Sequence, residues 1–106
     1  MSAPIRVAHI AGTAERTGVG SHLIAFLSSF DRTEVEPTLF LPGPGPLSER
    51  MNELNVPVEF VAPRSKLAFG EEAALAKRWK GAFDVVHAHG SRPSFWAARA
   101  ARRAKI

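Results

Sequence analysis

The chain has 106 residues, 45% of them hydrophobic and 23% charged, a composition that fits one globular domain and is too apolar for a disordered segment. It contains no cysteine, which excludes disulfides and thiolate metal sites, and it has no run of about eighteen apolar residues able to span a bilayer. Its net charge of +4 favours anionic partners, among them phosphorylated small molecules, nucleic acid and anionic lipid headgroups, without choosing between them.

Met1-Ser2-Ala3-Pro4 leads straight into an apolar run with no signal-peptide pattern, so a cytoplasmic location is expected. Ile5–Ala11 reads as a short, mostly buried strand. Leu23, Phe26, Leu27 and Phe30 then fall at i, i+3, i+4 and i+7, one apolar stripe of a helix that ends by Asp31-Arg32. Val35–Leu41 is a second strand, in which Pro37 belongs near the start or on an unpaired edge because it cannot donate to a ladder. The breaker cluster Pro42-Gly43-Pro44-Gly45-Pro46 puts Pro46 in the first turn of a short helix lined by Leu47, Met51 and Leu54. Val56–Val61 is a third strand. A third helix spans about residues 69–80 with Leu75 and Trp79 turned inward. Val85–Ala88 is a fourth strand, and Pro93–Ala104 a fourth helix with Arg99, Arg102 and Arg103 on one face.

Strands alternating with helices predict an α/β fold, a Rossmann-like three-layer α/β/α sandwich around a parallel sheet with strand order 3-2-1-4. The order reverses between the first and fourth strands, and ligands of such sheets bind outside the carboxyl ends of the strands at that reversal. Two loops border it. One is Thr17-Gly18-Val19-Gly20-Ser21-His22; the other is His89-Gly90-Ser91-Arg92. A glycine-containing loop that opens a helix presents bare N–H groups suited to phosphate. The candidate substrate-binding residues are therefore Thr17, Gly18, Val19, Gly20, His89, Gly90, Ser91 and Arg92. Arg92 either grips phosphate through its fork of donors or solvates the turn, and Ser91 is placed to cap the helix.

Several fingerprints are missing. Gly12, Gly18 and Gly20 do not form G-x-G-x-x-G, no P-loop occurs, and no nucleophile–base pair emerges, so no catalytic residue is assigned. His87 and His89 lie two apart on a strand and share a face, a spacing able to hold a metal, but no third ligand is evident. Neither metal nor cofactor is expected. His89 is placed to donate to a ligand hydroxyl or phosphate, whereas His87, one pleat deeper, and His9 read as structural. Lys77, Arg78 and Lys80 fit a solvated helix end or contact with an anionic membrane surface.

In their order and spacing these segments resemble the N-terminal, acceptor-binding domain of retaining GT-B glycosyltransferases of family 4. Residues 17–22 are similar to the family's G-G-V-[EQ]-x-H, with Thr17 in place of the first glycine and Gly20 in place of the acidic or amide residue. Gly45-Pro46-Leu47-Ser48-Glu49-Arg50-Met51 and Leu54-Asn55-Val56-Pro57-Val58 resemble G-P-L-x-x-x-L and L-G-[IV]-P-V, and Asp84–His89 resembles D-[VI]-[VIL]-H-x-H. The resemblance implies transfer of a hexose from a nucleotide-sugar donor to a hydroxyl of a sugar, lipid or small-molecule acceptor, with retention at the anomeric carbon. It implies that Gly18–Gly20 face the donor diphosphate and acceptor, and that Gly90–Arg92 line the acceptor pocket.

On this reading residues 1–106 are a partial N-terminal domain, an incomplete half of a GT-B fold. The C-terminal nucleotide-sugar-binding domain, with its E-x7-E segment, lies outside them. The chain is then inactive alone and needs a C-terminal partner domain or chain. Ser65–Ser94 looks like bacterial phosphatidylinositol mannosyltransferases, which is compatible with peripheral contact at the inner face of a membrane. The alternative is a non-enzymatic Rossmann-like binding or interaction module, a split-enzyme subunit or anion-binding domain. Nucleic acid rests on charge alone and is not expected.

Overall fold

Four strands and four helices alternate along the chain: β1 (Ile5–Ala11), α1 (Val19–Ser28), β2 (Val35–Leu41), α2 (Pro46–Glu53), β3 (Val58–Phe60), α3 (Phe69–Trp79), β4 (Val85–His89) and α4 (Ser91–Ala104). The computed structural model describes residues 3–12, 18–29, 31–61, 69–89 and 91–106, with the side chains at 19, 69–72 and 91–96 outside that description. The sheet is parallel with order β3-β2-β1-β4, as expected for right-handed crossovers. Phe30, the last member of the α1 stripe, falls outside the described residues.

Alternation along the strands divides the core in two. Ala8, Ile10 and Phe40 point to a layer formed with Leu75, Ala76 and Trp79 of α3 and with Ala97, Ala100 and Ala104 of α4. Ala11, Leu39 and Leu41 point the other way, against Leu23 and Leu27 of α1 and Leu47 and Met51 of α2. Over its described side chains the seat of α4 is thus made of methyl groups, which lets that part of the helix lie close to the sheet. Trp79, fully buried, meets Phe40 edge-on with ring centroids 5.7 Å apart.

Local chemistry explains the element ends. Pro46 opens α2, where its missing N–H is no loss, and Ser48 Oγ accepts a hydrogen bond from Gly45 N–H at 3.0 Å. Asn55 closes the same helix at φ 59°, the left-handed conformation that Asn tolerates better than most residues. Pro37 pairs with Val7 of β1 and lies ahead of the β3 register, which begins at Leu39, so no ladder hydrogen bond is lost on that side.

Strand β3 is shorter than the 56–61 run expected. Val56 N–H bonds to Met51 O at 2.9 Å, and its side chain packs under α2, so it completes the helix exit instead of entering the ladder. Val61 N–H still reaches Leu41 O at 2.7 Å just beyond the strand.

Truncation of Trp79 to Ala is expected to cost about 3–5 kcal/mol in urea denaturation, the range for a large aromatic in a core. Trp79→Phe keeps an aromatic ring against Phe40 and deletes an indole N–H that has no hydrogen-bond partner among the described residues, so it should lose clearly less. Equal losses would show that the indole edge, and not ring packing, holds the layer.

Candidate functional site

The two loops singled out in the sequence emerge at neighbouring strand ends, because Ala11 of β1 is the register partner of His89 of β4. Helix α1 begins at Val19, so residues 19–22 are already helical and Gly18 is the residue before the helix. Gly18 has φ 57° and ψ −114°, a backbone conformation open almost to glycine alone. Gly20 is buried within the first helical turn and needs no such freedom. Gly18 brings no side-chain cap to α1 and the helix's first turn carries no acidic residue, which suits its positive end to an anion. Thr17 lies outside the described residues.

At β4 the expected boundary moves. Ser91 and Arg92 are the first two residues of α4, which starts two residues ahead of the expected Pro93, and Gly90 lies outside the described residues. The helix can start ahead of Pro93 because the first-turn N–H groups have no intrahelical acceptor, and proline there forfeits nothing. The side chains of Ser91 and Arg92 lie outside the description as well. What the fold establishes for both is their place at the start of α4, beside the end of β4.

Between the two helix starts lies a cluster of imidazoles on the α1 face of the sheet. His9 Nδ1 and His89 Nε2 are 3.0 Å apart, one nitrogen donating and the other accepting. His87 stacks on His89 with centroids 4.0 Å apart, and His22 in the first turn of α1 stands 6.2 Å from His89. Phe26 presents its edge or face to all four rings, at 5.7–6.3 Å. His9 and His89 are buried, at 2% and 8% exposure. His87, read from sequence as the deeper, structural residue, is instead exposed, since β4 is the last strand of the sheet and α1 covers its neighbour β1.

The sequence spacing left a third imidazole unidentified. His9 is that residue, brought beside His87 as its register partner across 78 positions of chain. Strand order 3-2-1-4 already made β1 and β4 neighbours; the missing information was the register.

A separate hollow of about 440 Å³ lies at the opposite, amino-terminal ends of the strands, lined by Arg6, Arg32 and Arg78 among others. Its arginines are engaged in the fold. Arg6 binds both carboxylate oxygens of Asp84, Arg32 donates to the carbonyls of Leu54 and Asn55, and Arg78 forms a two-point pair with Glu59. Of the basic trio at the end of α3, Arg78 is therefore spent on β3, while Lys77 and Lys80 are exposed.

Burial pushes the His9 imidazole down to about 4, helped by positive charge on His89 and His87; burial likewise pushes His89 down to about 4, helped by His87 and His22. Each is neutral in the fold but titrates near 6.5 in the unfolded chain. Between those values the unfolded state binds more protons, so stability is complete above about pH 6.5 and falls as pH drops toward 4. Chemical denaturation in chelator-containing buffer should show that decline, and His9→Phe should flatten it. Asp31 and Asp84, held below the usual carboxylate range by hydrogen bonds from Thr33 and from Arg6, act in a lower window.

Comparison with known proteins adds identity to this geometry. Among curated proteins no sequence match is found. The structure is similar to HepE from Anabaena, crystallised with UDP and glucose, at a TM-score of 0.77 and 14% identity over 95% of this chain and 28% of that one. It is similar to a glycosyltransferase from Rickettsia africae at a TM-score of 0.64 and 16% identity, over 93% of this chain and 27% of that one. The chain thus spans little more than a quarter of the length of either. The family model for Glycosyltransferase Family 4 matches residues 16–106, and the chain belongs to that family.

Proposed function

We propose that this chain is the acceptor-side domain of a glycosyltransferase that moves a hexose from a nucleotide-sugar donor to an acceptor hydroxyl, and that it does not turn over alone. The observation that carries the reading is the meeting of two helix starts at the β1/β4 reversal, with His22 of α1 and His89 of β4 only 6.2 Å apart. A diphosphate is the ligand such a place suits, since each helix start favours negative charge by about 0.3–1 kcal/mol. HepE, which shares the fold, was crystallised with UDP and with glucose.

In this reading the N–H groups after Gly18 approach the donor diphosphate, and His89 donates to a phosphate or hydroxyl. Residues 90–92 line the acceptor side. The nucleotide itself is held by a second domain or a companion chain. No helix among the described residues is long and apolar enough to cross a membrane; Lys77 and Lys80 suit a peripheral contact with an anionic surface if the acceptor is a lipid.

A binding or interaction module is the second reading, favoured by one observation: among the described strands β4 lies at the edge of the sheet, with Val85 45% exposed. An unpaired strand edge is a template for another strand. A tight homodimer in gel filtration would support it.

Sugar transfer assayed from UDP- and GDP-linked hexoses should be absent for the lone chain and appear once a donor-binding partner domain is supplied. Robust transfer by the lone chain would refute the half-enzyme. In the active assembly, His89→Ala should lower kcat/KM about tenfold or more, the worth of one hydrogen bond to a charged group.

A further inference from the structure

We propose that His9, His87 and His89 form a binding site for one divalent transition-metal ion of the zinc type, bridging β1 and β4. One nitrogen from each residue can be chosen so that all three lie within 4.8 Å of one another. Zinc–nitrogen bonds of about 2.0–2.1 Å place neighbouring ligand nitrogens of a tetrahedron about 3.3 Å apart. His9 Nδ1 and His89 Nε2 are already 3.0 Å apart. The remaining closure, about 1.5 Å, is within a side-chain rotation at exposed His87.

The scaffold suits the purpose. Two ligands alternate on one strand and so share a face, while the third is the register partner of the first on the adjacent strand. Neither thiolate nor carboxylate belongs to the set, and an all-imidazole set selects zinc, copper, nickel or cobalt over magnesium and calcium. Three protein ligands leave a fourth position for water or another ligand. Phe26 supplies an apolar wall against all three rings.

Three imidazoles are packed together with one hydrogen bond recorded among them, between His9 and His89. A metal ion would engage the facing lone pairs at once. The site requires neither donor nor acceptor, so it stands whether or not the transfer reaction does.

The test uses the tag-free chain, stripped with chelator and then freed of it. Calorimetric titration with Zn²⁺ should give one ion per chain with a Kd in the micromolar range or tighter. Co²⁺ should give visible d–d absorption of a tetrahedral or five-coordinate site. At a hundredfold excess over Kd the melting temperature should rise by roughly 5–15 °C. His87→Ala removes an exposed ligand; it should leave the metal-free chain folded and weaken binding at least about tenfold. His22→Ala, outside the triad, should bind as the parent does. Absence of saturable binding by the parent, parental affinity in His87→Ala, or an equal loss in His22→Ala would each overturn the assignment.

Discussion

Asp84 fixes how β4 lies on β1, and the site depends on that fit. Its carboxylate accepts from the Arg6 backbone N–H at 2.9 Å and from the Arg6 guanidinium at 3.1 and 3.3 Å, while Asp84 N–H donates to Arg6 O at 2.8 Å. Arg6 also donates to Gly81 O at 3.0 Å, tying in the turn that follows α3. These contacts stand at the foot of β4 and set its register. Side chains alternate along a strand, so a slip of one residue would send His87 and His89 to the α3/α4 layer and leave His9 alone under α1. The charge attraction itself is exposed and worth little; the geometric restraint is what matters.

From that register the rest of the crevice follows. Because Ala11 and His89 end level, α1 and α4 begin at the same rim, one behind a positive-φ glycine and the other behind position 90. The imidazole cluster fills the wall between them, and Phe26 backs it from α1. Apolar packing supplies the rigidity: the two core layers hold β1 on both faces, so the polar rim rests on a strand that cannot easily move.

Much of this was legible in the sequence, and the reasons are local. Each apolar run is bracketed by breakers or by a helical stripe, so the alternation of elements, and with it the sheet order, could be read directly. Misreadings came where two local signals competed. Val56 looked like strand because it is β-branched, yet the exit from α2 claimed its N–H. Pro93 looked like the start of the last helix because proline favours a first position, yet a first-turn proline also allows α4 to start earlier, at Ser91. His9 as a partner of His87, and Asp84 as the clamp on Arg6, are contacts across nearly eighty residues; no periodicity encodes them.

The methyl-lined seat of α4 carries a further consequence. A helix of fourteen residues is about 20 Å long, so its far end acts as a lever. Among its described side chains, those buried against the sheet are Ala97, Ala100 and Ala104, and each added methylene there would tilt the axis. A tilt of about 5° would swing the opposite tip by nearly 2 Å. Three of the smallest side chains in the molecule thereby set where the amino-terminal end of α4 stands beside β4.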